Sequence, residues 1–188
     1  MLDPFKRRIP LLAVSGRCGN ASLAPSGLGH LALRFANAWG CEVTAFTSNE
    51  SKASEASGFG AHNVISSRDS DAIRKAASTL DFLLVTVNVP LDSPAMVAAL
   101  RPNGKLHIVG AILEPLQISA MDLIFGQKRV SGSPNGAPAT MASMLDFAAR
   151  HKIAPQVEHF PMSCVNDAIQ HLTTLPRRPR FRLLLNDN

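Results

Sequence analysis

Tyrosine is absent from the 188-residue sequence, tryptophan occurs once and cysteine three times. Without tyrosine, the Tyr-x-x-x-Lys hydride-transfer site of short-chain dehydrogenases cannot be built. Cys18, Cys41 and Cys164 are too few and too scattered for a disulfide framework, and no CxxC occurs. An odd, sparse count suits a reducing compartment. HExxH is missing, and His30, His62, His107, His151, His159 and His171 form no set with metal-ligand spacing. Neither a GxSxG nucleophile elbow nor a GxxxxGKS or GxxxxGKT phosphate loop is present. Long apolar runs are lacking too. Ile9–Val14 is six residues long, shorter than a signal-peptide core and far shorter than a membrane span. These absences leave no expected catalytic residue and no expected metal ligand, and they point to a soluble, cytoplasmic chain with no membrane partner.

Hydrophobic residues make up 46% of the sequence, enough for a full core. The length suits one domain, or one domain plus part of another. The net charge of +5 comes largely from Lys6-Arg7-Arg8 and from Arg177, Arg178, Arg180 and Arg182. No aromatic platform or reading motif accompanies these clusters, so they read as solvated charge and nucleic-acid binding is not expected.

From Gly27 to about Gly132, helix and strand patterns alternate. Leu28, Leu31, Ala32, Phe35, Ala36 and Trp39 fall at helical spacing, and Gly40 supplies a stop. Strand Val43–Thr47, helix Ser51–Ser57, strand His62–Ile65, helix Asp71–Ser78 and strand Asp81–Val87 follow. Helix Ser93–Leu100 then leads through the turn Arg101–Gly104 into strand Lys105–Val109, and strand Lys128–Ser131 closes the series. Continuous apolar strands such as Phe82-Leu83-Leu84-Val85 belong in a sheet covered on both faces. The pattern predicts an α/β, doubly wound parallel sheet of Rossmann type over residues 24–151. Residues 1–23 form an atypical N-terminal segment in which Ile9–Val14 has strand character and Arg17–Ser22 is loop-like. After Pro138, helix Ala139–His151, strand Gln156–Phe160, helix Val165–Leu172 and strand Phe181–Leu185 break the earlier rhythm. Residues 152–188 therefore read as a segment separate from the parallel series, in another layer.

The most telling stretch is Ser26-Gly27-Leu28-Gly29-His30, a glycine turn that opens a helix, with the strand Val43–Thr47 and a polar loop after it. That order is the first half of a dinucleotide-binding unit. In a GxGxxG register the segment reads Ala24-Pro25-Ser26-Gly27-Leu28-Gly29, which keeps only the last of the three glycines. Ala24 would be strained by roughly 1–2 kcal/mol where φ must be positive. Pro25 removes an N–H donor, and Ser26 puts a side chain where close approach is needed. A loss of roughly 1–3 kcal/mol weakens binding about 10- to 100-fold. Ser26, Gly27, Leu28 and Gly29 are the candidate phosphate contacts.

The loop after the second strand selects the dinucleotide. An NAD-preferring unit carries Asp or Glu at the strand end for the ribose 2′-hydroxyl. Thr47 and Ser48 stand there instead and leave room for a phosphate, with Lys52 supplying charge-assisted bonding. Glu50 reads as a solvent-facing carboxylate. NADP is thus the expected cofactor. The strand ends Thr86-Val87-Asn88, Val109-Gly110-Ala111 and Ser131-Gly132-Ser133 finish in small or polar residues, and ligands of open α/β sheets sit at such ends. Thr86, Val87, Asn88, Val109, Gly110, Ala111 and Ser133 are candidates for the nicotinamide half of the site.

Gly27–Ala32, Trp39–Phe46, Asp81–Asn88, Gly126–Pro134 and Met144–His151 together resemble the cofactor-binding part of zinc-dependent, NADP-linked medium-chain alcohol dehydrogenases. The branch they resemble is the cinnamyl-alcohol-dehydrogenase-like one of bacterial aldehyde reductases. The resemblance runs from Gly27 to Leu185 and covers the second half of the family's usual length. It implies NADP contacts at Thr47, Ser48 and Lys52, and further cofactor contacts at Thr86, Gly110, Ser133, Pro134 and Asn135. It also implies that the strand near 128–131 pairs across a homodimer and that Gln156–Phe160 and Phe181–Leu185 return to a zinc-bearing β-rich domain. The family's zinc ligands have no counterparts here; where Ile9–Ala13 resembles the segment bearing one of them, Ala13 replaces the cysteine.

The expectation is the cofactor-binding part of an NADP-dependent alcohol dehydrogenase or aldehyde reductase, truncated and without zinc-dependent turnover on its own. On that view the altered glycine turn is a scar of truncation. The alternatives are a non-enzymatic NADP-binding or dimerising module, and a non-functional remnant whose late strands expose unpartnered apolar edges.

Overall fold

Short apolar strands alternating with helices assemble into a parallel sheet in the computed structural model, which describes residues 19–23, 28–47, 52–67, 69–88, 91–174 and 182–186. The strands β1 (Gly19–Leu23), β2 (Glu42–Thr47), β3 (Asn63–Ser66), β4 (Leu80–Val85), β5 (Leu100–Ile108) and β6 (Arg129–Gly132) lie in the order β3-β2-β1-β4-β5-β6. Every pairing is parallel. Helices α1 (Gly29–Ala38), α2 (Ala53–Gly58), α3 (Ser70–Lys75) and α4 (Ser93–Ala99) make the crossovers, and α5 (Ala120–Ile124) precedes β6. The chain first winds from β1 toward β3 and then returns to β4 on the other side of β1. All carboxyl ends therefore share one edge, and the winding reverses between β1 and β4.

The helices cover both faces because both faces of the strands are apolar. Along β2, Val43 and Ala45 pack with Leu33, Ala36, Ala56 and Phe59 from α1, α2 and the turn after α2. Phe46 points the other way and joins Ile73, Leu83, Val85, Met96, Leu100 and Leu106. The strand is buried at every position after Glu42, as a covered parallel sheet requires.

Three sequence expectations shift. The first strand is β1 at Gly19–Leu23, overlapping the stretch Arg17–Ser22 read as loop-like, where it pairs with β2 from Gly19↔Glu42 to Leu23↔Phe46. The small and polar sequence Gly-Asn-Ala-Ser-Leu carries no strand signal of its own, and two flanking parallel strands override that. Ile9–Val14 lies outside the described residues. In α1 the most buried positions are Leu33 and Ala36, while Leu28 is exposed. Its Phe35 and Trp39 turn instead toward Phe147 of α6 (Pro138–Arg150), with ring centroids 5.9 and 5.1 Å away. The helix thus has two contact stripes, one on the sheet and one aromatic. The helix α5 was not predicted; its signal is the cap Ser119, whose hydroxyl accepts from the Met121 N–H.

Other boundaries follow local chemistry. Gly40, at φ 77°, ends α1, and the Cys41 N–H returns to the Ala36 carbonyl at 3.1 Å. Asp69 caps α3 by accepting from the Asp71 and Ala72 N–H groups, and Asp92 caps α4 through Ala95. Between Leu80↔Leu100 and Phe82↔Lys105 the register jumps, which accommodates the turn Arg101–Gly104 with Asn103 at φ 65°.

After α6 come β7 (Val157–Pro161), a 3-10 turn at Met162–Cys164, α7 (Val165–Thr174) and β8 (Arg182–Asn186). β7 and β8 form a separate two-stranded parallel sheet. The late strands are indeed apart from the main series, and they pair with each other, where the remnant alternative left both without partners. Two bonds tie the connecting segment to α1: Arg34 Nη1 donates to the Ala154 carbonyl at 3.0 Å, and the Gln156 N–H donates to His30 Nε2 at 3.2 Å.

Candidate functional site

The carboxyl edge of the sheet is where small residues and backbone turns gather. β2 ends in Thr47, which is buried, and its carbonyl accepts the Ser67 N–H at 2.9 Å, tying the exits of β2 and β3 together. Lys52, half-buried, is the N-cap of α2 five residues later. Leu28 is the N-cap of α1, exposed, and Gly29 is that helix's buried first residue. No acidic side chain stands in the first turn of α1, and the cap side chain makes no hydrogen bond there. In contrast to α3 and α4, whose caps are aspartates, this helix start has no cap carboxylate set against an anion. Ser26, Gly27 and Ser48 lie outside the described residues.

On the other side of the winding reversal, Thr86 is buried just past β4, with Val87 half-buried and Asn88 exposed. The Val109 and Gly110 N–H groups both donate to the Val85 carbonyl, at 3.0 and 3.2 Å. The exits of β4 and β5 come so close that a Cβ built on Gly110 would lie 2.1 Å from the Val87 carbonyl oxygen. Only glycine fits there. Asn88 Oδ1 accepts the Ala111 N–H at 2.9 Å and latches the two loops from outside. Asn88, a sequence candidate for ligand contact, thus also holds the loop that carries Gly110 and Ala111.

β6 brings in the third strand end. The Ser133 N–H donates to the Ile108 carbonyl at 3.2 Å, which seats Ser133 beside the β5 exit, while Pro134 and Asn135 are exposed beyond it. The structure therefore gathers Thr86, Val87, Asn88, Val109, Gly110, Ala111 and Ser133 along adjoining strand exits. Thr47 and Lys52 lie on the other flank of β1.

Sequence reasoning missed His107. It is buried at 5% exposure in β5, opposite Ser131 in the β6 register, with Ser131 Oγ 2.9 Å from Nδ1 and Ser133 Oγ 3.0 Å from Nε2. The Phe82 ring stacks near it, with centroids 6.2 Å apart at 25°. Burial, and then the positive charge of Lys105, lower its pKa below the usual histidine value, so the ring is neutral at pH 7. The only local signal was a polar residue between Leu106 and Ile108 in an apolar strand.

Among the described residues no three His, Cys, Asp or Glu side chains gather as a metal-binding set. No described helix is long and apolar enough to cross a membrane.

The profile of the zinc-binding dehydrogenase family matches residues 27–150. Aldehyde reductase AdhA of Synechocystis is 45% identical over 166 residues, which is 88% of this chain and 49% of that protein. Among solved structures, cinnamyl alcohol dehydrogenase SbCAD4 of Sorghum bicolor aligns with a TM-score of 0.79 at 36% identity, over 88% of this chain and 47% of that one. Two structures at 26% identity were solved as complexes. Acetophenone reductase of Geotrichum candidum holds NAD (TM-score 0.76, 93% of this chain and 50% of that one), and the CAD of Helicobacter pylori holds NADP(H) (0.74, 90% and 48%). The chain spans about half the length of the curated relatives it matches. With its parallel sheet, its winding reversal and the family match across most of both, the chain belongs to the zinc-binding dehydrogenase family.

Proposed function

We propose that this chain is the NADP(H)-binding part of an aldehyde reductase or alcohol dehydrogenase, and that these 188 residues by themselves bind the cofactor without zinc-dependent turnover. The observation that carries the cofactor reading is the convergence of the β4, β5 and β6 exits beside the winding reversal, the place where ligands of open α/β sheets sit. Gly110 lets the exits of β4 and β5 meet backbone to backbone there, because a Cβ on it would strike the Val87 carbonyl. The choice of NADP rests on Thr47 at the end of β2, where a carboxylate would repel a 2′-phosphate, and on Lys52 at the start of α2.

In this reading Ser26, Gly27, Leu28 and Gly29 face the pyrophosphate, aided by the positive end of α1. Thr47, Ser48 and Lys52 hold the 2′-phosphate. Thr86, Val87, Asn88, Val109, Gly110, Ala111, Ser133, Pro134 and Asn135 orient the nicotinamide end. When bound, NADPH supplies the hydride. Zinc does not fit the described residues, which offer no three-ligand set, and no step here is assigned to it. Residues 24–151 form the cofactor unit in this proposal, and 152–188 belong to a second layer. A homodimer through β6 is supported by that strand's position at the sheet edge, by the exposed Val130 on it and by the exposed Phe125 shortly before it.

Calorimetric titration tests the reading. NADPH is expected to bind more tightly than NADH, and Lys52→Ala to weaken NADPH about 10-fold while leaving NADH unchanged. No heat with either dinucleotide would overturn it. NADPH oxidation with a panel of aldehydes and added zinc is expected to stay at background; robust metal-dependent turnover would reject the second half of the proposal.

A further inference from the structure

His107 is a buried polar side chain that the cofactor reading leaves unused. Its two ring nitrogens each meet a serine hydroxyl, Ser131 at 2.9 Å and Ser133 at 3.0 Å. A neutral imidazole has one N–H and one lone pair, so one hydroxyl must accept from the ring and the other must donate to it. Both ring nitrogens are thus partnered in either tautomer, and the tautomer decides which serine donates to the ring and which accepts from it. Ser131 is a strand residue of β6 and directly opposite His107. Ser133 is different. It lies one residue past the end of β6, is only half-buried, and its N–H is already fixed on Ile108. Its hydroxyl meets the ring on one side, and its place one residue past β6 puts it at the carboxyl edge of the sheet.

We propose that His107 is a positioning residue for the nicotinamide end of the site: the ring clamps Ser131 and Ser133 together so that Ser133 presents its remaining hydrogen-bonding capacity to the carboxamide of a bound nicotinamide. This rests on the cofactor reading above. A carboxamide has both donor and acceptor groups, so it complements a hydroxyl in either orientation the ring imposes. The neutral state of His107 suits this role, because a charged ring would donate to both oxygens and leave both hydroxyl protons to find other acceptors. Pre-orienting Ser133 removes part of the ordering cost of binding.

The test separates the two ends of the cofactor in the full chain. Affinity is measured for NADPH and for adenosine 2′,5′-bisphosphate, which carries the adenine end with its 2′-phosphate and lacks nicotinamide. His107→Leu and Ser133→Ala are each expected to weaken NADPH about 10-fold and to leave the bisphosphate within 2-fold of wild type. The double variant is expected to be no weaker than either single one, because both substitutions remove the same contact. Ser133→Ala keeps the ring and its Ser131 partner, so it carries the test should His107→Leu fail to fold. Unchanged NADPH affinity in Ser133→Ala would overturn the proposal, as would equal losses for both ligands, which would mark His107 as a fold residue only. A wild-type chain that binds neither ligand would overturn the cofactor reading itself and the proposal with it. Wild-type binding of both ligands with no effect of the substitutions overturns the clamp alone.

Discussion

At the residue scale the site is built from things small enough to let backbones meet. Thr47, Thr86, Gly110 and Ser133 stand out in the sequence as candidates because small or hydroxyl residues at the ends of apolar strands are unusual enough to notice. What each does was less legible. Gly110 is required by the Val87 carbonyl, which comes from a loop more than twenty residues earlier in the chain. Gly110→Ala is therefore expected to lower stability by about 1–3 kcal/mol, the range for forcing a methyl into packed atoms. Thermal denaturation checks this; an unchanged Tm would show that the Val87 turn yields freely. His107 escaped detection for the same reason. Its partners are 24 and 26 positions away, and only the β5–β6 register brings them to the ring.

At the element scale, strands such as β2 and β4 read correctly because a covered parallel strand is apolar throughout, and that pattern survives without context. β1 did not, since Gly19–Leu23 is held as a strand by neighbours on both sides rather than by its own residues. The helix α1 shows how a single periodicity hides two contacts. Its Leu33–Ala36 stripe meets the sheet, and its Phe35–Trp39 flank meets Phe147 on α6, which also stacks on His151 at 4.1 Å. Phe147 is 9% exposed and lies at the centre of that aromatic group. Phe147→Ala is expected to cost about 3 kcal/mol, at the low end of the range for emptying a buried phenylalanine site, because α6 is otherwise largely exposed. Denaturant unfolding measures the loss. A change below about 0.5 kcal/mol would mean that α6 is held by its other contacts.

For the whole molecule, the feature of most consequence is the edge of the main sheet. Among the described residues β6 pairs only with β5, and Val130 on it is 36% exposed while Phe125 just before it is 83% exposed. A bare parallel edge flanked by apolar side chains invites pairing with another strand. The proposed homodimer meets that need. Val130→Lys is expected to convert the dimer to a monomer in sedimentation velocity at unchanged Tm of the isolated subunit, since lysine on an edge opposes strand addition without disturbing the core. A variant that remains dimeric would move the interface elsewhere on the surface.

Alternation of apolar strands with helical segments determined the doubly wound class by itself, because local periodicity and strand composition are properties of neighbouring residues. The loop Thr47–Lys52 likewise carried the expectation of NADP, through small hydroxyl residues where NAD units place a carboxylate and through the charge of Lys52. The broken turn Ala24–Ser26 could be read for what it lost. Only the tertiary structure decided that Gly19–Leu23 supplies a central strand, that β7 and β8 partner each other, and that at one edge of the sheet Gly110 packs on Val87, Asn88 holds Ala111 and His107 meets Ser133. Those facts depend on register and close approach between segments far apart in the chain, and no local pattern encodes a distance.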